Sequence, residues 1–168
     1  MFLKLLALTK KKALMIKINI IFNHKPWQRY LKSPSNFIEK GIEDLNKKFK
    51  KYKKKNIFCT LLLSENSEIK KLNKKFRKKD KSTDILSFPF YNKRELKNKL
   101  KNEKEIYLGD IIINFNKIKN KNNKDNFKIE VNKLWIHGLI HLFGYEHKKD
   151  KDFYKMAKLE KKFLSYLN

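Results

Sequence analysis

Three of the chain's four histidines fall within eleven residues, His137-Gly138-Leu139-Ile140-His141-Leu142-Phe143-Gly144-Tyr145-Glu146-His147. That spacing asks for a helix followed by a tight turn. On a helix, His137 and His141 sit about 40° apart and roughly 6 Å along one face. Two imidazole nitrogens so placed can reach one ion at about 2 Å each. Gly144 stops the helix, because glycine takes the left-handed conformation of a C-terminal cap without steric penalty. The chain then turns back and offers His147 as a third ligand. Three neutral imidazoles leave an ion its full charge and one position open for water, as in a catalytic zinc site rather than a closed structural one.

Histidines on an apolar helix are more commonly buried and hydrogen-bonded than metal-bound. Three at offsets 0, 4 and 10, with glycine at offset 7, favour the metal reading. The same offsets occur in the zinc-protease signature H-E-x-x-H-x-x-G-x-x-H. Here Gly138 stands where such a protease carries its glutamate base, which argues against peptide hydrolysis by that route.

A length of 168 residues suits one domain, and 40% hydrophobic with 13% aromatic content supports a packed core. The net charge of +26 is almost all lysine, with arginine only at Arg29, Arg77 and Arg94. So basic a chain favours a polyanionic partner, RNA or DNA first. Lys, Asn, Ile and Phe are enriched together, however, so part of the excess reads as codon drift. The single cysteine, Cys59, excludes an internal disulfide, agrees with a reducing cytoplasm, and reads as a small core residue. No run of eighteen apolar residues occurs, so no membrane span is expected. Residues 1–14 read as a dispensable extension ahead of a start at Met15, and 15–168 as a single domain.

Met15 to Asn23 reads as a strand that breaks at His24-Lys25-Pro26-Trp27, with His24 in a surface or turn role. Apolar spacing predicts a helix from Pro34 to about Lys50, capped by Ser33 or Ser35. Ile57 to Leu63 reads as a strand, and the Ser64–Glu68 segment opens a helix through Phe76. Ile85 to Phe88 forms a strand closed by Pro89. Residues 92–104 read as an exposed, poorly ordered connection. Ile106 to Asn114 forms a strand with Gly109 at a bulge or close approach. Asp110 is a strand-end hydrogen-bond acceptor or a partner of a metal-bound imidazole, the first being its commoner use. The segment from Phe127 to Phe143 carries the histidines, and Asp150 to Leu167 gives a last amphipathic helix.

Arg77 stands at the end of the helix before the Lys78–Asp84 loop. An arginine that persists among lysines can be retained for its planar two-pronged fork, which suits phosphate. It can equally be a chance survivor, and composition leaves the two even. Thr83 and Asp84 are placed to buttress the loop.

Three segments together resemble one family. HGLIHLFGYEH resembles the H-G-x-L-H-L-x-G-Y-D-H signature of the YbeY family of metal-dependent endoribonucleases. LNKKFRKKDKSTDILSFP resembles that family's L-N-x-x-y-R-x-x-d-x-x-T-D-V-L-S-F-P segment, and LGDIIIN its L-G-D-I-x-I strand. The resemblance runs over most of Met15 to Asn168, with Glu146 in place of the family's aspartate. It implies a single α/β (α+β) domain, a small mixed four-stranded sheet with about five helices. It also implies Zn2+ or a similar divalent ion on His137, His141 and His147, with Arg77 facing it across a cleft. Implied too are cleavage of single-stranded RNA, 16S ribosomal RNA 3′-end maturation, and small-subunit ribosomal partners in the cytoplasm. Two rival readings stand beside it. One is a non-catalytic ribosome-assembly factor stapled by a structural metal; the other is a metallohydrolase with a non-RNA substrate.

Overall fold

The computed structural model describes residues 15–119, 121–147 and 150–167. The extension expected at 1–14 lies outside the described residues. Four β-branched and aliphatic runs form the strands β1 (Ile16–Phe22), β2 (Asn56–Ser64), β3 (Ile85–Pro89) and β4 (Glu105–Asn114). They make one sheet in the order β1-β2-β4-β3. β1, β2 and β4 run parallel, while β3 pairs antiparallel with β4. The mixed four-stranded sheet is the one the sequence led us to expect.

Among the described residues there are six α-helices, one more than the five or so expected: α1 (Pro26–Leu31), α2 (Pro34–Lys48), α3 (Asn66–Arg77), α4 (Lys93–Asn102), α5 (Lys124–Leu142) and α6 (Asp150–Leu164). Two differ from the sequence reading. The segment after β1 is not merely a break: it forms α1, whose Trp27 is fully buried and donates its indole N–H to the Ser64 carbonyl at 3.2 Å. The expected exposed, poorly ordered connection at 92–104 is mostly helix. The Asn92 side chain accepts from the Arg94 and Glu95 amides, and Glu95 reaches back to the Asn92 amide, a complete capping box.

One face of the sheet carries the main core. Trp27, Ile38, Leu45, Phe127, Trp135, Leu139 and Phe163 pack there against Ile57, Leu61, Ile111 and Ile113. The expected core role of Cys59 holds, since it is 1% exposed. The outer edge of β1 is closed by a side chain: Asn46 accepts from the Ile16 amide at 3.0 Å and donates to its carbonyl at 2.9 Å. This satisfies backbone groups that an edge strand leaves unpaired. The opposite face carries a smaller cluster under α3, made of Ile69, Leu86 and Ile112.

The bulge expected at Gly109 is present. The β2–β4 register shifts between Phe58 and Thr60, and Gly109 has φ +129°. A Cβ there would lie 2.1 Å from the Phe88 carbonyl oxygen, so only glycine lets β3 and β4 approach this closely.

Candidate metal centre

α5 is held against β3 and β4 by a glycine contact. A Cβ on Gly138 would stand 2.7 Å from Ile111 Cγ2 and 3.1 Å from Ile85 Cδ1. The position after His137 therefore faces the sheet, not the cleft. It explains why no glutamate base could occupy the site.

The next turn of α5 ends in two hydrogen bonds. The Gly144 amide donates to the His141 carbonyl at 2.8 Å, and the Tyr145 amide to the Ile140 carbonyl at 3.3 Å. Gly144 sits between them at φ +82°. This pairing is the Schellman arrangement, and it satisfies carbonyls that a helix end leaves open. The same turn points the Tyr145 carbonyl at His141, whose Nδ1 lies 2.8 Å away. A carbonyl only accepts, so Nδ1 carries the proton and Nε2 keeps its lone pair. His137 is set likewise: its Nδ1 lies 2.6 Å from Glu160 Oε1 on α6.

Both free Nε2 atoms converge, 3.0 Å apart. His147 completes the group, and one nitrogen from each ring lies within 4.8 Å of the others. Ligands about 2 Å from a tetrahedral ion are about 3.3 Å from one another, which these separations bracket. Burial, and next the neighbouring His137, hold the His141 imidazole below its usual range. It is therefore neutral near pH 7, the form that binds metal. The donor chemistry fits a divalent ion of the zinc class.

Arg77, the last residue of α3, lines the same cavity of about 920 Å³ as the three histidines. The loop beyond it is fastened from below. Fully buried Asn114 donates to the Thr83 carbonyl at 2.9 Å and to Asn66 Oδ1 at 2.8 Å. Asp84 accepts from Thr83 Oγ1 and from the Ile85 amide, both at 2.9 Å, as expected of a buttress. Asp110 does not line the cavity that holds the histidines, and accepts from the Tyr107 hydroxyl at 2.5 Å. Glu160 and Asn114 were not among the expected site residues. Glu160 follows His137 by 23 positions, and no local spacing ties it to the histidines.

The profile of the Endoribonuclease YbeY family matches residues 22–168. Among curated relatives, Endoribonuclease YbeY of Pelagibacter ubique is 42% identical over 149 residues, covering 87% of this chain and 92% of the relative. Endoribonuclease YbeY of Ehrlichia canis is 34% identical, covering 91% and 93%. Among solved structures, the solution structure of TM1509 from Thermotoga maritima aligns with a TM-score of 0.56 at 27% identity, covering 90% of this chain and 89% of that one.

Proposed function

Since this chain belongs to the Endoribonuclease YbeY family, we propose that it cuts single-stranded RNA in the cleft between Arg77 and the three histidines. It is a metal-dependent endoribonuclease of ribosomal RNA maturation. In the finer reading the ion is Zn2+ on His137, His141 and His147, and the substrate is the 3′ end of 16S ribosomal RNA. That reading carries the small ribosomal subunit and its associated factors as partners and a cytoplasmic setting. No described helix is long and apolar enough to cross a membrane. The observation that carries the proposal is the convergence of three imidazoles and Arg77 on one cavity.

An ion held there would supply Lewis acidity, lowering the pKa of a bound water toward about 7. The protein's own groups do the rest. The Tyr145 carbonyl and Glu160 fix the His141 and His137 tautomers so that both lone pairs face the cleft. Arg77 presents its fork to a phosphate oxygen and stabilises charge gathering on phosphorus. The lysine-rich surface draws in the backbone with little preference for sequence. With Gly138 turned to the sheet, no carboxylate at that position serves as base.

The test is purified protein with defined metal on labelled single-stranded RNA, with EDTA and His141→Ala controls. Metal-dependent cleavage, abolished in both controls, is expected. RNA left intact while a peptide or small phosphoester is cut would replace this reading with a different hydrolase. RNA bound but never cut, with His141→Ala unfolded, would make the metal a staple.

A further inference from the structure

Among the described residues, no helix covers one end of the sheet's second face. α3 covers the other end, where Ile69 and Leu72 pack with Leu62, Leu86 and Ile112. Beyond that cover a row of side chains crosses the sheet. Lys17 pairs in register with Phe58, and Phe58 with Tyr107. Just past the end of β3, Phe90 follows by two residues Phe88, which packs in that second-face cluster, and its ring meets that of Tyr107. Register partners project to one face, and their neighbours along each strand to the other. Those neighbours, Ile16, Ile57, Ile106 and Leu108, are at most 1% exposed in the main core. The row therefore faces away from the core.

Its chemistry is specific. The Phe90 and Tyr107 ring centres are 5.7 Å apart, and Lys17 Nζ stands 5.6 Å from the Phe58 ring centre. The adjacent acid, Asp110, is engaged by the Tyr107 hydroxyl, which also lies 3.0 Å from Thr60 Oγ1. Strand preference for aromatics accounts for the half-buried Phe58 and Tyr107. It does not account for Phe90, which is outside the strand and 65% exposed. Phe90 also lines the cavity that holds Arg77 and the histidines. The row thus begins at the cleft and ends at Lys17, three strand spacings or about 14 Å away.

We propose that Phe90, Tyr107, Phe58 and Lys17 form a second RNA-contact site, which stacks unpaired nucleobases of the strand as it leaves the cleft. The proposal rests on the endoribonuclease reading and extends it. Base stacking on aromatic rings is tolerant of sequence, and the terminal lysine supplies a phosphate contact. A duplex keeps its bases stacked inside, so such a site selects single strands. The net charge of +26 suits a polyanion over an acidic-surface-free protein partner.

The test uses the full chain, its Phe58→Ala and Lys17→Glu variants, and labelled single-stranded RNAs of about 6 and about 24 nucleotides, lengths that bracket one such site. Binding is read by fluorescence anisotropy in EDTA at fixed salt, and cleavage with metal added. Wild type should bind the longer RNA more tightly. Phe58→Ala should lose at least about fivefold of that affinity, the low end expected for one stacked base, and Lys17→Glu should weaken it through the lost phosphate contact. Binding and cleavage of the short RNA should not change. Lys17 is exposed, so its variant remains informative even if Phe58→Ala fails to fold. Folded variants that keep the long-RNA affinity would overturn the proposal. So would a wild-type dimer that the variants dissociate with RNA affinity unchanged, which would assign the face to self-association. If nothing is cleaved by any form but the variants still lose affinity, the catalytic reading falls and the stacking site stands.

Discussion

Glu160 Oε1 lies 2.6 Å from His137 Nδ1, joining α6 to the histidine-bearing helix α5 through the ring nitrogen that points away from the cluster. A carboxylate there fixes the imidazole's orientation and raises its basicity toward an ion on Nε2. Glu160→Gln keeps the size and loses the charge. It should weaken metal affinity about 10- to 100-fold, measured by competition against a chromophoric chelator. The melting temperature of the metal-free protein should stay close to wild type, because the Glu160 side chain is 28% exposed and its role lies in the site.

Arg77 tests the other side of the cleft. Its guanidinium is exposed and lines the cavity with the histidines, so little of the fold depends on it. Removing one donor that meets transition-state charge costs on the order of 100- to 1,000-fold in kcat. Arg77→Ala should show that loss with its thermal transition unchanged. Arg77→Lys should recover only part of it, because an ammonium lacks the two-pronged geometry. Full activity in Arg77→Lys would remove the fork from the mechanism.

Glu160 and the histidines it supports differ in how legible they were in the chain. The histidine triplet was readable because its three members are local: one helical repeat and one glycine turn bring them together. The strands were readable because β-branched runs carry their own signal, and β3 and β4 ended within a residue of expectation. Glu160 was not readable, since its partner lies across a helix-helix contact that no spacing encodes. α4 was missed because its only fully buried residue is Leu96, leaving too little apolar periodicity among the lysines. Its capping box at Asn92 and Glu95 was the available signal. Trp27 was missed because charged neighbours and Pro26 read as a break, although Pro26 opens α1 where a missing amide proton costs nothing.

Gly138 sets how closely α5 sits on the sheet. Gly138→Ala gains up to about 1 kcal/mol in helix propensity. Against that, the new methyl meets Ile111 Cγ2 at 2.7 Å, and overpacking a core typically costs about 1–3 kcal/mol. The obstructing atoms belong to branched side chains on β3 and β4 that are themselves packed, so the clash should win. A lower urea midpoint with an unchanged slope is expected. Gly138→Glu, which would restore a protease-like signature, should fail to fold rather than acquire peptidase activity.

Cys59 gives a pH test with a definite sign. Burial, and next the charge of Asp110, push its thiol up to about 12. In the unfolded chain a cysteine ionises near about 8.5. Between those values the folded protein holds a proton that the unfolded chain releases, so the unfolded state is favoured as pH rises. The stabilisation is complete below the unfolded value and declines by up to about 1.4 kcal/mol per pH unit above it. Urea midpoints of wild type and Cys59→Ala, compared between pH 8 and pH 10, isolate this contribution from the lysines that titrate in both proteins. The wild type should lose more stability over that interval than the variant. The native thiol should also resist a disulfide reagent at pH 8 and react only on unfolding, because the attacking species is the thiolate. Prompt reaction of folded protein, or parallel pH slopes for the two proteins, would contradict a sealed Cys59 between β1 and β4.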